Sequence, residues 1–154
     1  MKKTNQSFAA FKMIHAALLT GQLLFTGVIT FVVYKLEKPL AATLDQPLQI
    51  AAILLAATAF FTGNAIFKKR LTFIQAQSTM ALAQKFVRYR TACIIQWVLL
   101  ELSTLFSGIC FLIAGNNSFL ALAGMLIVLF GLQAPSKAKL ALQLYIPPDE
   151  LNTL

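Results

Sequence analysis

Apolar and polar positions in this chain segregate into long blocks rather than into helix faces. One uncharged run, 13–34, is bounded by Lys12 and Lys35, and a second, 46–67, by Asp45 and Lys68. From Arg90 to Lys137 the only charge is Glu101, and this interval holds two further runs separated by Gly115-Asn116-Asn117-Ser118. About 20 apolar residues at 1.5 Å rise cross a bilayer core. The pattern therefore predicts helices over about 13–34, 47–67, 91–114 and 118–133. The expected fold class is all-α, a polytopic membrane protein forming one four-transmembrane-helix bundle. A soluble bundle would need a polar face on every helix, and these runs supply none.

Between the second and third runs, Leu71, Ile74, Leu82, Phe86 and Tyr89 recur near helical spacing among Gln75, Gln77, Gln84, Lys85 and Arg88. This predicts an interfacial segment over 71–90, with a helix starting near Ser78 or Thr79 and running into the third span. It serves either as a linker packed on its own bundle or as a docking surface for another subunit. Residues 7–11 can start a helix at the interface. Residues 136–144 read as a brief interfacial helix stopped by Pro147-Pro148.

Composition agrees with the blocks, since 58% of residues are hydrophobic and only 12% charged. Soluble domains carry about 25% charged residues. A net charge of +8 would suggest nucleic acid in a soluble chain, but its distribution argues otherwise. Eleven basic residues lie before the first run, between the second and third, or after the fourth, whereas only Lys35 and Lys38 lie opposite. Loops rich in Lys and Arg stay in the cytoplasm, which predicts a multi-pass inner-membrane protein with both termini inside. The basic rim would attract anionic lipid headgroups. Lys68, Lys69 and Arg70 are assigned to lipid, and no nucleic-acid partner is expected. The first run is too long for a signal peptide and lacks a clear A-x-A site, so it is expected to be retained.

Cys93 and Cys110 stand 17 positions apart on one predicted helix, roughly 25 Å at 1.5 Å per residue. They cannot pair with each other, and no metal-ligand spacing accompanies them. No metal or cofactor is expected. One His, no paired carboxylates and no activated Ser or Cys give enzymatic chemistry no foothold, and a non-enzymatic protein is expected.

Small residues mark candidate packing faces. Ala52, Ala56, Ala59 and Gly63 recur on the second helix, Gly108 lies on the third, and Ala121, Gly124 and Gly131 line one face of the fourth. Aligned at an offset of 81, LLTGQLLFTG (18–27) lies over LLELSTLFSG (99–108), matching Leu18/Leu99, Phe25/Phe106 and Gly27/Gly108 among others. Leucine-rich helices align readily by chance, and the match is also compatible with two duplicated hairpins.

Glu101 falls about ten residues into the third helix. An ionised carboxylate at that depth costs several kcal/mol against lipid, so it should face protein or carry a proton. His15, Gln22, Thr26 and Thr30 form one polar face of the first helix, and Gln96, Ser103 and Thr104 lie near Glu101 on the third. A buried polar seam between the two helices is expected. Two readings of it stay open. In one, Glu101 glues helices within the chain or to a homo-oligomeric or other membrane subunit. In the other, Glu101 is a proton or cation site of a small oligomeric translocator, with Gln96, Ser103 and Thr104 as ligands and His15 on the approach.

The stretch RYRTACIIQWVLLELSTLFSGICFLIAGN (88–116) resembles small, uncharacterised four-helix inner-membrane proteins of Bacteroidota, sometimes labelled generically as transporters. More remotely, ELSTLFSG (101–108) is similar to the segment following the ion-binding glutamate of rotary-ATPase proteolipid (c) subunits. That likeness implies a duplicated hairpin with Glu101 as the ion-binding carboxylate and Thr20 as its degenerate counterpart. The glycine-repeat helix of that family has no equivalent here.

Overall fold

The computed structural model describes residues 2–36, 40–77, 79–145 and 147. Glu37, Lys38, Pro39, the candidate helix start Ser78 and the terminal Pro148 lie outside them. Five α-helices follow in order: α1 (Lys2–Lys35), α2 (Asp45–Ala76), α3 (Leu82–Ala114), α4 (Asn117–Leu132) and α5 (Lys137–Leu144), with a 3-10 turn at Ala42–Leu44 before α2. Among the described residues there is no strand. α1, α2 and α3 are each long and apolar enough to cross a membrane. α4 and α5, bent by 72° at their break, make a fourth span only if taken together.

α3 is the central post. Its buried side runs from Phe86 through Cys93, Trp97, Leu100 and Thr104 to Phe111, and α1, α2 and α4 all pack on it. The alanine stripe of α2 fits that role, since Ala52, Ala56, Ala59 and Gly63 are all buried. A Cβ built on Gly63 would lie 3.4 Å from Gln96 Cγ and 3.6 Å from Leu99 Cδ1. Small residues let two membrane helices approach closely, where dispersion contacts hold them.

The helices outrun the predicted spans at one end. α2 continues to Ala76 instead of ending near residue 67, and its 32 residues reach about 48 Å, well beyond the ~30 Å apolar core of a bilayer. The predicted interfacial segment is thus the tip of a helical hairpin, broken over 77–81. Its apolar positions turn inward. Ile74, Phe86 and Tyr89 join Phe8 and Phe11 of α1 and Leu140 and Leu144 of α5 in one core cluster. Residues 71–90 therefore pack on their own chain. Residues 7–11 belong to α1 itself rather than to a separate interfacial helix. The guanidinium of Arg88 lies over the Phe73 ring at 5.4 Å on the outer side of the hairpin.

This is also the basic end, where Lys12, Lys68, Lys69, Arg70, Lys85, Arg88, Arg90, Lys137 and Lys139 collect from four helices. The opposite end is tied by Asp45. Asn116 Nδ2 donates to its two carboxylate oxygens at 2.9 and 3.1 Å, while Asn116 Oδ1 accepts from the Ser118 backbone N–H at the start of α4. Gly115, at φ 69°, ends α3 in the left-handed region that glycine adopts without strain.

The two proposed repeats occupy different environments. A Cβ on Gly108 would meet Phe25 Cε1 at 2.9 Å, whereas one on Gly27 would meet nothing within 4 Å. Gly124 and Gly131 on α4 likewise meet nothing, and Ala121 is exposed. The small-residue face of α4 packs on no part of the described chain.

Candidate functional site

α1 and α3 run in the same direction, and two contacts fix their register. Near the basic end, the His15 ring lies edge-on to Trp97 with centroids 4.7 Å apart. Two to three turns further, Phe25 and Ile29 close over Gly108. Gln22 falls between these contacts, level with Ser103 and Thr104. Gln22 and Thr104 are wholly buried, and so are Ser103 and Ser107 to within 1%. Of the residues expected in the polar seam, Gln22 on α1 and Ser103 and Thr104 on α3 are thus buried at one level, a narrower patch than the one expected.

Its bonding is mostly local. Ser103, Thr104 and Ser107 donate to the carbonyls of Leu99, Leu100 and Ser103 one turn back on α3. Both amide atoms of Gln22 and the Thr26 hydroxyl oxygen are buried without a hydrogen-bond partner. His15 is anchored outside the seam. Its Nε2–H donates to the Phe130 carbonyl at 3.1 Å, and its ring stacks on Phe130 with centroids 4.7 Å apart.

Glu101 does not join the seam. It is half-buried, set to one side of the buried face of α3 between Leu100 and the exposed Leu102. Positions 97, 105 and 108 share its stripe at i±4 and i+7, so it sits on the flank where α3 meets α1. Among the described residues it makes no hydrogen bond and no ion pair. The carboxyl thus emerges at mid-span, at the edge of the bundle.

A second polar constellation lies at the basic end, in the groove between α2 and α4 where both lean on α3. Gln96 of the predicted seam points there, donating through Nε2 to Asn64 Oδ1 at 2.7 Å. Further out, Tyr89 Oη donates to Gln143 Oε1, and Gln75 Nε2 to the Gln143 carbonyl, both at 2.7 Å. The elbow between α4 and α5 follows from local chemistry. Pro135 cannot continue α4. The Phe130 and Gly131 carbonyls accept from the Gln133 and Ala134 backbone N–H groups at 3.0 Å, which leaves the next ones to be capped from elsewhere. Lys139 Nζ reaches back to cap those of Leu132 and Ala134 at 2.8 and 3.2 Å, and Ser136 Oγ accepts from the Lys139 backbone N–H to start α5. A half-open cavity of about 370 Å³ lies between these groups.

The three headgroup-assigned residues, Lys68, Lys69 and Arg70, are all exposed, and of them Lys68 alone lines this cavity. Both cysteines are buried in α3. Among the described residues no group of three or more His, Cys, Asp or Glu could hold a metal. The pairing of Gln96 with Asn64 and of Gln75 with Gln143 escaped the sequence reading because the two members of each pair lie on different helices. Its one signal is that Asn64 and Gln96 interrupt otherwise apolar runs. Comparison with protein-family models, with curated proteins and with solved structures finds no match to this chain.

Proposed function

We propose that this protein is a non-enzymatic integral membrane subunit that assembles with further copies of itself or with other membrane subunits, using the α1–α3 flank that carries Glu101. In this reading α1, α2, α3 and the bent α4–α5 pair form four spans in a cytoplasmic membrane, with the basic end and both termini inside. The observation that carries the proposal is the half-buried Glu101, which has no hydrogen-bond partner among the described residues. A carboxyl exposed to lipid at mid-depth is costly. A second helix laid over the flank would both bury it and supply a hydrogen-bonding group.

The same feature supports a second reading, a small oligomeric proton or cation translocator in which Glu101 is the site, still reachable from the bundle edge. No other ionisable side chain lies at its depth, and the cavity at the basic end is not lined by Glu101. This reading therefore also requires a neighbouring copy.

Cross-linking in native membranes and proton flux into dye-loaded vesicles, each run on wild type, Glu101→Gln and Glu101→Leu, test the two together. The assembly reading expects cross-links retained in E101Q, lost in E101L, and no flux in any of the three. Wild-type flux abolished in E101Q would transfer the assignment to translocation.

A further inference from the structure

The cavity between α2, α3 and the α4–α5 elbow has the chemistry of an anion site. Among the described residues the charged side chains on its wall are Lys68 and Lys139, both cationic, and no carboxylate lines it. Lys139 is held in place by the carbonyls of Leu132 and Ala134, which use two of its three N–H donors and leave the third. Lys68 makes no hydrogen bond among the described residues, and neither does the carboxamide of Gln133, whose Oε1 is buried and unpartnered.

Position narrows the ligand. Lys68 is the first charge after the apolar run 46–67, so the cavity mouth stands where lipid headgroups stand. Inward from Lys68 the wall holds Phe67 and, deeper, Trp97 beside the paired amides of Asn64 and Gln96, with Leu132 on the α4 side. A soluble anion would gain nothing from Phe67, Leu132 and Trp97, whereas the glycerol and first methylenes of a lipid would cover them. Cavities of roughly 300–1,000 Å³ that combine apolar walls with a few fixed polar groups are typical of small-ligand sites.

We propose that this cavity seats the phosphate-bearing headgroup of an anionic phospholipid. Lys68 and Lys139 hold the phosphodiester, and Gln133 bonds a headgroup hydroxyl. The site is separate from Glu101 and stands whether or not the flank mediates assembly.

Trp97 is the only tryptophan in the chain and lines the cavity, so its fluorescence reports occupancy. The purified protein is reconstituted in phosphatidylcholine vesicles containing either dibrominated phosphatidylglycerol or dibrominated phosphatidylcholine. The expected result is stronger Trp97 quenching by the brominated phosphatidylglycerol at equal mole fraction. Lys68→Gln and Gln133→Leu should each weaken that preference, Lys68→Gln by about fivefold, the usual effect of one basic residue at a membrane surface. Lys35→Gln removes the same charge at the opposite end of the bundle and should leave the preference within about twofold. Equal quenching by the two lipids overturns the proposal, as do equal losses in K68Q and K35Q or an unchanged preference in Q133L. Competition by soluble glycerol phosphate would overturn the lipid assignment in favour of a phosphate ester taken from water.

Discussion

His15 of α1 donates to the backbone carbonyl of Phe130, 115 positions away, at 3.1 Å, in the last turn of α4. That carbonyl also accepts from the Gln133 backbone N–H at 3.0 Å, so His15 takes the second of its two acceptor positions. The bond, the stack on Phe130 and the edge contact with Trp97 together join α1, α3 and α4 where the two polar constellations meet. His15→Leu should lower unfolding stability by about 1–3 kcal/mol through the lost hydrogen bond and lost ring contact. Denaturant unfolding followed by Trp97 fluorescence checks this, and an unchanged midpoint would contradict it.

Gln22 is predicted to behave in the opposite way. It is wholly buried with both amide atoms unpartnered, and such a group costs about 1–3 kcal/mol. Gln22→Leu should therefore be neutral or stabilising in the same unfolding assay. A loss of more than about 1 kcal/mol, the usual net worth of a hydrogen bond, would mean that the amide is bonded after all.

Gly108 and Gly27 supply a matched pair. A methyl group on Gly108 would press on Phe25 at 2.9 Å, whereas one on Gly27 would enter open space. Gly108→Ala should cost about 1–3 kcal/mol by overpacking, and Gly27→Ala should lie within about 0.5 kcal/mol of wild type. Equal effects would restore the equivalence that the sequence repeat suggests.

The blocks of apolar residues announced the membrane spans because hydropathy is a property of composition, readable without any partner. The alanine stripe ending at Gly63 and the burial of Gln22, Ser103 and Thr104 were legible for a related reason, since periodicity alone places them on one face. Glu101 was not legible in this way. It shares its side of α3 with Gly108, yet a rotation of about 100° per residue separates the buried Leu100 from a half-exposed Glu101, and only the crossing of α1 decides which side of that boundary counts as interior. The extension of α2 through Ile74 was hidden because Lys68, Lys69 and Arg70 look like an ending. All three are exposed, and the helix passes them to bury Ile74 against α5 and α1. The small residues of α4 present the converse case, a packing pattern with no partner in the described chain.

The cap over the basic end depends on Tyr89 and Gln143, linked at 2.7 Å. Tyr89→Phe removes that bond while keeping the ring among Phe11 and Phe67. The expected result is a loss of about 1 kcal/mol and faster amide hydrogen exchange confined to α5. Exchange that accelerates throughout α3 instead would show that the bond supports the whole bundle rather than the cap.

On the proposed function, Glu101 completes itself against another membrane helix. Förster transfer between donor- and acceptor-labelled copies, followed as the protein is diluted in vesicles, measures self-association directly. Transfer should persist on dilution for wild type and Glu101→Gln, and should fall to the random-encounter level for Glu101→Leu. Transfer in E101L equal to that of wild type at every dilution would contradict it.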